Sequence, residues 1–383
     1  MGIPSGKPFH ARHRDGADRQ HDRGKAAAQR SVRVYPGLIA ALFWALPAGA
    51  ETLRIASFDP ELSRKGPGLL LQDIRKQDAQ VEAVVAVIAE ARPDILLLTN
   101  FDWDYEGLAL AAFEARLRED GLDYSYSFAP RPNAGLETGL DLDGNGATGE
   151  PRDAQGYGRF TGDGGLALLS RLPIDAAGAR DFSGFLWADL PGAQLDDARL
   201  SDAARAVQRL SSTAHWDVPL RLPGGEALHL WAFAATPPLF DGPEDRNGRR
   251  NHDEAAFWLR YLDGGLPVQP AAEPFVLLGN FNTDPVDGEG RRGALTALLA
   301  DPRLQDPAPR SAGGALAANP DQAGDPALDT AAFGGNSGNL RLDYVLPSAG
   351  LEIVGAGVFW PAEEGIAAQA SRHRLVWVDI ALP

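Results

Sequence analysis

Between residues 52 and 117 the chain runs through a short strand-like stretch, an amphipathic stretch, a second apolar run and another amphipathic stretch, and this order limits the fold more than any other feature. The segment "TLRIASFD" (Thr52 to Asp59) alternates apolar and polar residues and reads as a strand. In "DAQVEAVVAVIAEARPD", Val81, Val84, Val85, Ile88 and Ala89 recur at helical spacing, and Pro93 ends the helix. Ile95 to Leu98 reads as a buried strand that delivers Thr99 to Asp102 at its end, and a helix follows through Ala109 to Leu117. Further on, "GGLALLSRLPI", "LHLWAFAATPP", "FVLLGNFN", "LRLDYVLPS" and "HRLVWVDIAL" read as strands. "NHDEAAFWLRYL" and "GALTALLAD" have helical patterns, with Asn251 and Glu254 placed as a capping box for the first. Strand–helix alternation mixed with strand-only stretches predicts sheets covered by helices rather than a parallel barrel. Long loops rich in Gly, Pro and Asp fill 129–165, 187–206 and 305–340. There is no internal repeat, and no linker divides 51–383.

Composition narrows the chemistry. The chain has 383 residues and no cysteine, which excludes disulfides, thiolate metal sites and thiol nucleophiles. Residues 1–30 are polar and rich in Arg and His. Arg30 and Arg33 then precede a short apolar core, Leu38 to Leu46, and Ala48-Gly49-Ala50 offers an A-x-A cleavage site. Residues 1–50 therefore read as a polar leader plus signal peptide, giving an exported, periplasmic or extracellular protein without an integral membrane segment in its mature chain. An N-terminal anchor helix is the alternative reading. Residues 1–50 hold 8 Lys+Arg and 3 Asp+Glu, so the remainder carries 36 − 8 = 28 basic and 52 − 3 = 49 acidic residues, a net charge of −21. Such a surface repels a polyanion, which favours a small phosphoester over nucleic acid.

The apolar run Phe275 to Leu278 ends in a loop with Asn280, Asn282, Asp284 and Pro285. Polar clusters at the carboxyl ends of strands are where α/β sheets bind ligands. This loop belongs to a series of segments: "LRIASF", "ARPDILLLTNFD", "TGLDLDGNG", "GGLALLSRLPID", "RLSSTAHWDVP", "ATPPLFDGPEDRNGRRNHDEAAFW", "GNFNTDPVDG", "GNLRLDYVLPS", "VFWP" and "SRHRLVWVDI". In this order they resemble the endonuclease/exonuclease/phosphatase superfamily, most closely a bacterial secreted subfamily, over nearly all of 51–383. The resemblance implies a four-layer α/β sandwich, two mixed β-sheets packed face to face with helices outside. It also implies a divalent-metal-dependent phosphoester hydrolase using Mg²⁺ or Mn²⁺, with an Asp in a Gly-Asp-x-Asn loop as base and a His supported by an Asp in a Ser-Asp-His motif.

Position by position this chain departs from that pattern. The family's first-strand Asn falls on Asp59, its metal-binding Glu on Asn100, the His of His-x-Thr-Pro-Pro on Ala234, and the base Asp on Asn280. The Asp of Ser-Asp-His falls on Arg372. Asn282 and His373 match, and Tyr157, Arg209 and Asp343 lie in matching segments. An amide takes no proton from water near neutral pH, so Asn280 reads as a substrate hydrogen-bonder or a turn residue. Asp59 could restore the charge missing at Asn100, and Asp102 is a further candidate ligand. His373 lacks the neighbouring carboxylate that would fix its tautomer. Arg372 reads as a phosphate binder or a solvated side chain. In "FDGPEDRNGRRNHDE", Arg249 and Arg250 read either as anion binders at the pocket rim or as members of a self-satisfied loop. Asp141, Asp143 and Asn145 occupy the first, third and fifth places of a calcium-type loop whose twelfth is Arg152, which allows a weak Ca²⁺ site or a turn held by Asx bonds. His215 and His229 read as structural. Two functions follow: a hydrolase with weakened or altered catalysis, or a catalytically silent relative that binds a ligand or partner.

Overall fold

The computed structural model describes residues 52–271, 274–335, 337–363 and 365–382. The leader and signal-type segment assigned to 1–50 lie outside the described residues. The strands are β1 (Thr52–Phe58), β2 (Ile95–Phe101), β3 (Tyr126–Phe128), β4 (Gly165–Ser170), β5 (Arg180–Asp181), β6 (His215–Arg221), β7 (Ala227–Ala234), β8 (Phe275–Asn280), β9 (Ala331–Gly334), β10 (Gly338–Leu340), β11 (Asp343–Pro347), β12 (Ile353–Val358) and β13 (Val376–Ala381). The helices are α1 (Leu69–Arg75), α2 (Ala79–Ala91), α3 (Leu108–Glu119), α4 (Asp202–Val207), α5 (Arg246–Leu262), α6 (Gly293–Leu299), α7 (Ala312–Leu316) and α8 (Gly365–Ala370).

Two mixed sheets carry the fold. One has the order β12-β13-β1-β2-β4-β3 and the other β11-β8-β7-β6-β5. Within them β1 runs parallel to β2, and β7 parallel to β8; the remaining pairs are antiparallel. Successive side chains on a strand point to opposite faces, so each central strand serves two cores. Ile55, Ile95 and Leu97 face Val276, Leu278 and Leu230 between the sheets. Leu96 and Leu98 pack outward on Val84, Ile88 and Phe113 of α2 and α3. Leu277 and Phe233 pack outward on Phe257 and Trp258 of α5. Three cores between four layers make an α/β sandwich, as the resemblance implies. The outer core beside α5 is aromatic: Trp258 lies parallel to Trp231 at 5.6 Å and to His215 at 5.4 Å.

The strands and the helices at 79–91 and 108–119 fall where the periodicity places them. Helix α5 does not. It starts at Arg246, so Asn251 and Glu254 lie inside it and form no capping box. The residue before its first turn, Asp245, adopts a left-handed conformation with φ 51° and makes no side-chain cap. Asn251 and Glu254 are buried and are spent on tertiary bonds instead. The loops read at 187–206 and 305–340 also contain the short α4, α7, β9 and β10. Among the described residues no helix is long and apolar enough to cross a membrane.

The topology gathers the polar loops. Asn280 ends β8 and pairs in register with Asp343, the first residue of β11, and with Ala234, the last of β7. Asp59 follows β1 directly, and Asn100 lies near the end of the parallel β2. All reach the same end of the sandwich.

Candidate active site

A cleft of about 1570 Å³ opens there, lined among others by Asp59, Asn100, Ala234, Asn280, Asn282 and His373. Its floor is a chain of hydrogen bonds joining the two sheets. Asn280 Nδ2 donates to Asp59 Oδ2 at 3.0 Å. Asn280 Oδ1 accepts from the Asn282 backbone at 2.8 Å, which closes a turn and gives Asn282 its left-handed φ of 51°. The Asn282 amide donates to the Ala235 carbonyl at 2.7 Å. The amide at 280 thus serves the turn and Asp59 together.

His373 has a carboxylate partner after all. It is not the preceding residue but Asp343, whose Oδ2 stands 2.8 Å from Nδ1. Asp343 is fully buried and also accepts from Thr330 Oγ1 at 2.9 Å. This fixes the tautomer and leaves Nε2 facing the cleft, 4.0 Å from Asp59 Oδ2. Burial works against a charge on the imidazole, but Asp343, Asp59 and Glu61 outweigh it and hold its pKa up at about 9. These carboxylates favour the imidazolium form. Burial pushes the Asp59 carboxyl up, the nearby imidazolium opposes this, and Asp343 and Glu61 add to it.

Arg372 neither abuts this imidazole nor points freely into solvent. Its Nε donates to Glu61 Oε1 at 2.8 Å, its Nη2 reaches the same carboxylate, and its backbone N–H donates to Oε2 at 2.8 Å. Glu61 and Asp163 are cleft-lining carboxylates that sequence reasoning did not single out. Asp163 is occupied by Ser63 Oγ at 2.5 Å and by the Arg159 backbone at 2.8 Å. Of these three carboxylates, Asp59 has no arginine partner. The signal for Asp343 was present in "LRLDYVLPS", although nothing local shows that this aspartate meets a histidine thirty residues on.

Other candidates fall elsewhere. Asp102 does not line this cleft: its oxygens accept from the Arg64 and Gly164 backbone at 2.9 and 3.0 Å, tying two loops together. Burial pushes its pKa up to about 6, against those two bonds. Arg209 donates to Asn133 Oδ1 at 2.7 Å, and Arg249 to the Glu244 carbonyl and Asp197, both off the lining. Arg250 touches the lining but is buried, its guanidinium donating to the carbonyls of Leu210, Gln155, Arg209 and Ser211. The Arg250 fork is spent on these carbonyls, and Arg209 and Arg249 lie off the cleft lining. Tyr157 is exposed on the cleft wall.

The former cap residues anchor the rim. Glu254 accepts from the Thr236 backbone at 2.7 Å and from Ser212 N and Oγ at 2.6 and 2.7 Å. Asn251 donates to the Thr236 and Phe281 carbonyls at 2.8 Å each, joining the loops after β7 and β8. Burial pushes the Glu254 pKa up to about 7, opposed by Arg250 and the Ser212 and Thr236 donors. Its folded pKa thus lies above its unfolded value, near 4.3 for a model glutamate, so the folded state binds more protons between these limits. Stability from this group is full below about pH 4 and falls as pH rises toward 7. Glu254→Gln is expected to flatten that part of the melting-temperature profile; an unchanged slope between pH 4.5 and 7 would count against it.

At the calcium-type loop the carboxylates of Asp141, Asp143 and Asp153 come within 4.8 Å of one another and could hold a metal. Asn145 Nδ2 donates to Glu150 Oε2 at 2.6 Å and its Oδ1 accepts from the Ala147 backbone at 2.8 Å, while Asp153 brings a third carboxylate to Asp141 and Asp143. Asp141 also accepts three backbone N–H groups, from Gly144, Asn145 and Gly146.

A hard divalent cation takes oxygen ligands, and Mg²⁺ commonly binds through one or two carboxylates, completing its shell with water and phosphate. Asp59 and Asn100, at the ends of adjacent parallel strands, supply one carboxylate and one amide oxygen. Gly164 leaves room for that amide: a Cβ there would stand 2.8 Å from Asn100 Oδ1. The donor set fits such an ion.

A four-layer sandwich with a buried His–Asp pair at the end of its sheets is the arrangement of one class of phosphoesterase fold. The chain belongs to the endonuclease/exonuclease/phosphatase family, whose model matches residues 69–373; members generally use divalent metal ions. The structure resembles an endonuclease/exonuclease/phosphatase from Beutenbergia cavernae, with TM-score 0.53, 17% identity, and coverage of 86% of this chain and 72% of that one. It also resembles the endonuclease/exonuclease/phosphatase from Bacteroides vulgatus, with TM-score 0.50, 12% identity, and coverage of 87% and 100%. At these identities the likeness is one of fold. The sequence matches no curated protein.

Proposed function

We propose that this protein is an exported phosphoester hydrolase acting on small phosphoesters, with catalysis altered by the amide at 280. The observation that carries this reading is the unsatisfied side of His373. Its Nδ1 is held by Asp343, while Nε2–H faces the cleft, 4.0 Å from Asp59 Oδ2. A buried imidazolium with one donor aimed into a cleft is complementary to a phosphoryl oxygen whose negative charge grows in the transition state. A divalent cation, Mg²⁺ or Mn²⁺, held by Asp59 and Asn100 would supply Lewis-acid polarisation of the phosphoryl group. Asn280 Nδ2 donates to Asp59 Oδ2 at 3.0 Å, so the amide at 280 orients the carboxylate that would hold the ion. Acidic side chains outnumber arginines along the cleft, which supports a small substrate over a nucleic acid.

The test is hydrolysis of bis(p-nitrophenyl) phosphate and p-nitrophenyl phosphate with Mg²⁺ or Mn²⁺. Asn280→Asp places a second carboxylate against Asp59, which raises one of the two pKa values toward neutrality. We expect kcat to rise roughly 10²-fold, the low end of what a positioned proton acceptor contributes. The second reading, a silent relative that binds a ligand or partner, rests on Ala234 and Asn280, which provide neither a donor nor a base. It gains if the wild type is inactive and the combined Asn100→Glu/Ala234→His/Asn280→Asp/Arg372→Asp variant turns over. It fails if the wild type already matches that variant.

A further inference from the structure

The ion pair between Arg372 and Glu61 is placed to do more than join two loops. The Arg372 side chain is 62% exposed and that of Glu61 21%, so the pair sits at the mouth of the site. The guanidinium side of the pair is open to solvent, whereas Glu61 Oε2 also accepts from the Arg372 backbone N–H and from Ser371 Oγ. The guanidinium lies 5.2 Å over the ring of Phe333, and no group among the described residues accepts a hydrogen bond from its Nη1. The next residue along the chain is His373, whose Nε2–H is the other uncommitted donor here. A phosphoryl group entering the cleft therefore meets N–H donors from both side chains, and the planar guanidinium fork binds phosphate bidentately. On the other side of the pair, Glu61 is two residues from Asp59. Its backbone N–H donates to Asp59 Oδ1 at 3.0 Å, and Ser371 Oγ links the Asp59 carbonyl, at 2.7 Å, to Glu61 Oε2, at 3.2 Å. The backbone of Glu61 is left-handed, with φ 50°.

We propose that Glu61 is a reserve cation ligand held by Arg372: a phosphoryl group draws Arg372 away, and the freed carboxylate turns to the divalent ion beside Asp59. The proposal rests on the phosphoester reading for its two ligands. Each carboxylate added to an oxygen donor set strengthens a hard-cation site. By linkage, phosphate and cation then raise each other's affinity by the same factor.

The test is Mn²⁺ binding measured by calorimetry with and without saturating phenylphosphonate, with thermal melts to verify folding. The acidic triad at Asp141 is a second place where Mn²⁺ could bind, so the readout is the phosphonate-dependent part that Glu61→Gln abolishes. In the wild type, phenylphosphonate is expected to tighten Mn²⁺ binding by roughly 5–100-fold, the usual span of coupling between sites. Arg372→Ala should bind Mn²⁺ tightly without phosphonate and gain little from it, and Glu61→Gln should show no gain. The proposal is overturned if phosphonate leaves wild-type affinity unchanged. It is equally overturned if the gain persists in Glu61→Gln, because phosphonate then binds the ion directly. Turnover without coupling removes this inference alone, whereas coupling without turnover removes the hydrolase reading alone.

Discussion

Asp343→Asn is expected to lower kcat/KM for phosphodiester hydrolysis by roughly 10²–10⁴-fold, the contribution of a positioned proton-transfer or donor group. The substitution keeps shape and removes charge. Asp343 Oδ2 receives both the His373 ring and Thr330 Oγ1, and its carboxylate is the strongest of the charges holding the imidazolium. An amide can neither balance the cation nor guarantee that Nε2 carries the proton, so the donor toward the cleft is lost in a fraction of molecules. A purely structural role for Asp343 would reduce the folded population without altering the ring. The distinguishing measurement is the NMR titration of His373: its pKa should fall well below about 9 in the variant. A titration midpoint that stays put would refute the electrostatic account even if activity dropped.

The second large effect is on stability. Trp258→Ala should cost about 3–5 kcal/mol, the range for removing a large aromatic side chain from a packed core. Trp258 is fully buried, parallel to both Trp231 and His215, and edge-on to Phe257 at 5.3 Å. Its neighbours are strand and helix residues, so the space is not refilled by collapse, and α5 loses its stacking on Trp231 and its contact with Phe233 of β7. In urea unfolding the midpoint should drop while the slope stays constant. A loss below 1.5 kcal/mol would mean that the aromatic cluster repacks.

These results bear on what was legible in the sequence. Period-two alternation and the buried run at Ile95 to Leu98 located strands because each central strand faces two cores. The family pattern brought Asp59, Asn100, Asn280 and His373 to one place, since each sits at a strand end or in the loop beyond one, where topology alone sets position. Pairings across the fold were not legible. Asp343 meets His373, and Glu61 meets Arg372, only because β11, β1 and the loop before β13 converge on the cleft. What the arginines bond to was not legible for a related reason. Arg209 and Arg250 stand in polar-looking segments, yet their forks satisfy Asn133 and four backbone carbonyls, a demand created by loop packing. The Asn251–Glu254 spacing has the form of a helix cap, and the fold uses both residues to pin the cleft rim instead.

The position of β1 carries a consequence for how the molecule is made. It lies between β2, its parallel partner, and β13, the last strand of the chain. Six residues of β1, Thr52 to Ser57, find their antiparallel partners in a segment more than three hundred residues later. Until that segment has left the ribosome, one edge of β1 is unpaired and its inner face incompletely covered. Such distant pairings slow folding and leave a template for wrong association. The six-stranded sheet is therefore complete only when Val376 to Ala381 pair with β1.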